Sequence, residues 1–191
     1  MMCGRTAVKT TEEFISIFRT ALRNLEAFFG IRINTSIKVK MVNAGELAKN
    51  AKSSFIPTKG FDARAVGVAI KDSSGYTICI ENGTPRISAM LTIVHELTHI
   101  WQYLNWNDSS LAGIYGKDKL LEIYEGMAKW VEIQYAYLIN EKEIAIREEI
   151  STSLRNDEYG RGFLMYRNKY SFSKGTFITK ATPFTNREMP L

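Results

Sequence analysis

Residues 93–101 read Ile93-Val94-His95-Glu96-Leu97-Thr98-His99-Ile100-Trp101, and their two histidines are the only ones in the 191-residue chain. On a helix, residues four apart share one face with Cβ atoms roughly 5–6 Å apart. Two imidazoles so placed can converge on a single metal ion, with bonds of roughly 2.0–2.1 Å if that ion is Zn²⁺. Glu96 follows the first histidine and projects near the same edge. There its carboxylate can take a proton from water activated at the metal. Apart from Glu96 and the two histidines, the residues of this run are uncharged, as a helix buried around a metal requires. A plain amphipathic helix would leave unexplained why the whole histidine supply lies here.

The length and the 45% hydrophobic content fit one domain over residues 1–191 with a full core. Within it the pattern predicts an N-terminal α/β part to about residue 105. A helical part over about 106–180 and a loose tail over about 181–191 follow. No apolar run approaches the roughly 18 residues of a membrane span, and the N-terminus lacks the layout of a signal peptide. No membrane span and a cytoplasmic location are therefore expected. Cys3 and Cys79 form no ligand pair and are expected as free thiols. The formal net charge is +5, and from Arg155 onward seven basic residues face three acids. No nucleic-acid motif accompanies them, so they read as a solvated face and no nucleic-acid partner is expected. The sequence carries no signal of oligomeric state.

Thr10 and Glu13 form a capping box, and apolar residues from Phe14 to Phe29 then recur at helical spacing up to Gly30. Residues 37–42 alternate as a half-exposed strand, residues 44–52 read as a short polar helix, and residues 57–62 as a loop. Residues 65–70 and 76–81 read as a hairpin about Asp72-Ser73-Ser74-Gly75. The second of these strands is either a sheet edge, able to hold an extended peptide, or an interior strand. Thr84 is expected to cap the next helix with Pro85 at its first position. That helix carries the histidines and stops near Asn105. Residues 117–140 form a second long helix, residues 142–154 a polar one, and Tyr159-Gly160-Arg161-Gly162-Phe163 a glycine-rich loop before a final aromatic helix or turn.

A catalytic zinc usually has three protein ligands and one open position. With no third histidine, the third ligand is a carboxylate or a cysteine. Asp108 and Asp118 are available, but the second long helix offers Glu122, Glu125 and Glu132. At about 100° per residue, its apolar seam centres between Leu121 and Val131. Glu122 then points to solvent, whereas Glu125 and Glu132 flank the seam. Glu125 is favoured, because Gly126 beside it costs about 1 kcal/mol in a helix and is explained if this helix closely approaches the histidine helix. The plain alternative for Glu125 is a surface ion pair with Lys129.

The run Tyr76-Thr-Ile-Cys-Ile-Glu-Asn-Gly83-Thr-Pro85-Arg86, leading into His95-Glu96-Leu-Thr-His99-Ile-Trp101, resembles one known peptidase domain. It belongs to the plant LIM-domain, ubiquitin-activated peptidases that limit organ growth, and to their bacterial single-domain relatives. Glu125-Gly126-Met127-Ala128 and the Tyr159–Phe163 stretch are similar to two further signatures of that domain, so the likeness covers roughly residues 65–170. It implies a zincin-like α+β fold, with a small, mainly antiparallel sheet packed on the active-site helix and a mostly helical C-terminal half. It also implies a gluzincin-like peptidase with one catalytic Zn²⁺ on His95, His99 and Glu125, and Glu96 as general base. The chain has no LIM or ubiquitin-interacting segment, so ubiquitin dependence is not implied. Thermolysin-type enzymes place an acid four residues after the glutamate ligand; here that residue is Lys129, and Glu122 or Glu132 must orient the histidines instead.

The expected activity is hydrolysis of a peptide bond in a protein or peptide substrate. Developing oxyanion charge needs a donor besides the metal. With no histidine left over, Tyr159 and Arg161 are the candidates; the plain alternative for both is a structural turn. Two other readings of the whole chain stand beside this one: a zinc-stabilised, non-catalytic protein-binding module, and a zinc hydrolase of a non-peptide amide or ester.

Overall fold

The computed structural model describes residues 7–50, 66–73 and 75–185. Helix α1 (Thr11–Phe29) starts at the expected capping box, with the Thr10 hydroxyl accepting the Glu13 N–H and the Glu13 carboxylate accepting the Thr10 N–H. Strand β1 (Ile37–Val42), helix α2 (Ala44–Asn50) and strands β2 (Gly67–Asp72) and β3 (Gly75–Glu81) follow. The helical remainder comprises α3 (Arg86–Asn105), α4 (Asp108–Tyr115), α5 (Leu120–Leu138), α6 (Lys142–Ser153) and α7 (Glu158–Lys169). The class is therefore α+β. The expected loop at 57–62, the thiol of Cys3 and the chain end at 186–191 lie outside the described residues.

The sheet is mixed rather than mainly antiparallel. Its order is β1-β3-β2, with β1 parallel and β2 antiparallel to β3. The chain passes through α2 after β1 and returns as β2, which leaves the middle place to β3. Tyr76 to Ile80 are accordingly all buried, which decides for the interior alternative. Among the described residues β2 is an edge. The Glu81 N–H donates to the Val66 carbonyl at 3.0 Å, and in an antiparallel ladder bonded pairs alternate. Val68 and Ile70 therefore bond to β3, while the backbone groups of Gly67, Ala69 and Lys71 turn outward.

Helix α3 packs against this sheet and against α1, burying Ile93, Val94, Leu97, Ile100 and Trp101. Gly67 lets the helix approach, because a Cβ there would fall 2.4 Å from Thr92 Cγ2. Thr84 does not cap α3: its hydroxyl donates to the Glu81 carbonyl at 2.7 Å, and Pro85 takes the cap position. Helix α4, which the sequence reading lacks, starts where Asn107 Oδ1 accepts the Ser110 N–H at 3.0 Å. The tail is anchored as far as Thr185. Phe184 is buried with its ring 4.8 Å from Trp101 and 5.3 Å from Phe29.

Helix α5 packs against α3 and α7, and its glycine serves the second contact. A Cβ on Gly126 would lie 2.2 Å from the Gly162 carbonyl carbon, and one on Gly162 would lie 2.0 Å from the Glu122 carbonyl oxygen. Gly126 thus answers to α7, not to the histidine helix. Tyr159–Phe163 is helix, not loop, and begins α7 behind an Asp157 cap. Backbone against backbone cannot yield as a flexible side chain can, so Gly162→Ala should lower stability by about 1–3 kcal/mol. Gly113→Ala, where nothing lies within 4 Å, should be neutral or stabilising by up to about 1 kcal/mol. Urea denaturation of both variants checks this contrast.

Candidate metal centre

Helices α3 and α5 bring three donor atoms together. His95 Nε2 lies 3.1 Å from His99 Nε2 and 3.2 Å from Glu125 Oε2, and His99 Nε2 lies 3.5 Å from that oxygen. A tetrahedral ion with bonds of roughly 2.0–2.1 Å has ligand–ligand edges of about 3.3 Å. The three spacings therefore fit the ligand sphere of one metal ion, with one face left open. His95, His99 and Glu125 could hold such an ion.

A second layer of contacts turns these atoms inward. Gln102 Nε2 donates to the Tyr124 carbonyl at 3.0 Å, which leaves Gln102 Oε1 to accept from His99 Nδ1 at 2.8 Å. The proton is thereby fixed on Nδ1, and Nε2 keeps its lone pair for a metal. On His95 the same task falls to Glu132, whose Oε2 accepts from Nδ1 at 3.2 Å. Lys129 is no surface partner of Glu125. It is enclosed, donating to Glu132 Oε1 at 2.9 Å and to Glu148 Oε2 at 3.1 Å. Gln102, three residues beyond His99, went unremarked in the sequence, although its spacing puts it on the histidine face of α3.

Glu96 is buried, and its Oε2 accepts the outward N–H of Ala69 at 2.7 Å. The general-base candidate is thus held by the edge strand. Tyr159, in the first turn of α7, lies with its ring 6.4 Å from that of His95, and burial together with the nearby charges of Glu125 and Glu96 raises its pKa. The Arg155 guanidinium covers the ring 4.6 Å from its centre. Arg161 is drawn elsewhere, donating to Glu122 Oε1 at 2.6 Å and to the Asn156 carbonyl. Glu122 does not face solvent either. It is 6% exposed and bridges Arg161 and Lys119, while the apolar neighbour Leu121 is 53% exposed.

The electrostatics follow from crowding carboxylates around imidazoles. Burial alone would depress the His95 pKa, but the hydrogen bonds to Glu125 and Glu132 outweigh it and raise the value from 6.5 to about 10. Burial opposes ionisation of Glu132, yet Lys129 and His95 bring it down to about 2. Glu125 is held well below the carboxylate range by the two histidines.

Comparison with known proteins gives no match to any protein-family model, any curated protein or any solved structure.

A metal ion must displace the His95 proton, so affinity should rise with pH between 7 and 9, by up to about tenfold per unit. Competition with a chromophoric chelator measures this, and a flat profile would contradict the pairing described. Without metal, the His95 contribution to stability is complete below 6.5 and lost as pH rises through about 10. The Glu132 contribution is complete above 4.5 and lost as pH falls towards about 2. Glu132→Ala should weaken metal binding about 10- to 100-fold in the same titration.

Proposed function

We propose that the protein is a gluzincin-like zinc peptidase, with His95, His99 and Glu125 as ligands and Glu96 as general base. The observation that carries this reading is the buried Glu96 carboxylate, next in sequence to the first ligand and tied to an outward-facing strand N–H. Two imidazoles and one carboxylate at near-tetrahedral spacing suit Zn²⁺. When bound, zinc would polarise a carbonyl oxygen and lower the pKa of water towards about 7.

The remaining work belongs to the chain. Glu96 Oε accepts a proton from the attacking water and passes it to the nitrogen of the leaving amine. Gln102 and Glu132 hold the imidazole protons on the Nδ1 atoms, away from the open face. The outward N–H and C=O groups of Gly67 and Lys71 on β2 can pair with an extended chain laid along the edge. This favours a peptide or protein substrate over a non-peptide amide or ester. The likeness to the plant organ-growth peptidase domain, noted in the sequence, agrees with the same roles.

Glu96→Gln should bind zinc as tightly as the parent chain while turnover of a mixed peptide library falls by at least about 100-fold. A chelator should abolish cleavage by the parent protein. Undiminished turnover in Glu96→Gln would overturn the assignment of the base, and zinc binding without any peptide cleavage would favour the scaffold.

A further inference from the structure

A second phenol borders the centre. Tyr103 stands one helical turn beyond His99 and two turns beyond Glu96, so all three share a face of α3. Its ring lies 6.3 Å from His99 with 22° between the planes, and parallel to Tyr76 at 6.5 Å. Tyr124 flanks it at 5.9 Å. Three rings therefore fix the plane of this side chain without enclosing it: Tyr103 is 40% exposed, whereas Tyr76 is 7% exposed.

The hydroxyls around the centre are unequally committed. The Tyr124 O–H donates to Asp108 Oδ1, and Tyr159 packs against the His95 ring beneath the Arg155 guanidinium. The Tyr103 O–H has no hydrogen-bond partner among the described residues. A phenol is protonated at neutral pH, so Tyr103 is available as a donor. A buried hydroxyl already in use must break a bond before it can serve a substrate, whereas Tyr103 need break none.

We propose that Tyr103 is a catalytic residue of this site, donating its free O–H to the carbonyl oxygen of the scissile bond as negative charge develops there. The assignment rests on the peptidase reading above. The phenol keeps its proton throughout: it lends a hydrogen bond, and no covalent bond to it forms or breaks. A preorganised donor of this kind acts on the transition state more than on the bound substrate.

The test uses the zinc-loaded full chain, its Tyr103→Phe and Tyr103→Leu variants, and a mixed peptide library. Zinc affinity is measured alongside. So is binding of a phosphinic peptide, which carries a tetrahedral anionic group in place of the scissile amide. Tyr103→Phe keeps every ring contact, so zinc affinity and KM should stay within about twofold of the parent. Its kcat should fall on the order of 100-fold, and phosphinic-peptide affinity should fall at least tenfold. Tyr103→Leu should do no better than Phe. Parental kcat and phosphinic-peptide affinity in Tyr103→Phe, with loss only in Tyr103→Leu, would reduce Tyr103 to a spacer and overturn the proposal while the peptidase reading stands. Absence of metal-dependent cleavage by the parent chain would instead remove the peptidase reading, and the role of Tyr103 with it.

Discussion

Two carboxylates pressed against one imidazole are the constraint around which the rest is arranged. Glu125 reaches His95 Nε2 and Glu132 reaches His95 Nδ1, each at 3.2 Å, in surroundings that leave these side chains less than one-sixth exposed. Buried like charges are strongly unfavourable unless cations meet them. Lys129 supplies one such charge from within α5 and binds the α6 residue Glu148 with the same ammonium. A protonated His95 supplies another. A metal dication on the three converging atoms would replace that proton, so the centre exchanges one form of charge compensation for another without rearranging its helices.

The helices are positioned to make this clamp. Glu125 and Glu132 lie seven residues apart on α5, two turns along one face, and they take the two nitrogens of a single ring on α3. Gly126, one residue on, faces the other way and allows α7 to approach to backbone contact through Gly162. That approach carries Tyr159 to the His95 ring. A larger residue at either glycine would move α7 outward and withdraw the phenol, so the glycine pair reaches the centre through packing rather than through any contact of its own.

The parts of this arrangement legible in the sequence are those set by local spacing. His95, Glu96 and His99 announce themselves by their interval, and the α1 capping box by Thr10 and Glu13; Glu125 stands out with Glu132 beside the seam of a second long helix, but the close approach to α3 that favoured it through Gly126 is instead an approach to α7. What stayed hidden depends on partners distant in the chain. The seam drawn through Leu121 assumed that α5 buries one face, but α3 and α7 cover it from two sides, so Glu122 is enclosed and Leu121 is not. Lys129 reads as a surface partner of Glu125 until α6 brings Glu148 alongside, whereas Glu132 is one of the two acids the sequence offers to orient a histidine. The central place of β3 follows from the parallel return of β1, which no local turn signal encodes, although the unbroken run Ile78-Cys79-Ile80 fits a strand buried on both faces.

The sheet and the histidine helix are joined by a hydrogen bond from the Ala69 N–H to Glu96. Whether that N–H points outward depends only on register. A one-residue slip of β2 against β3 would turn it into the sheet and leave Glu96 without its donor. The register is set at the hairpin, where Asp72 pairs with Gly75 and Gly75 adopts φ 119, a conformation that residues with a side chain rarely accept. The same register decides which backbone groups line the open edge, since Gly67 and Lys71 share the outward set with Ala69. One turn thus orients both the carboxylate that would move a proton and the strand along which a peptide would lie. Any change that reset this hairpin would disturb both together while leaving His95, His99 and Glu125 on α3 and α5 untouched.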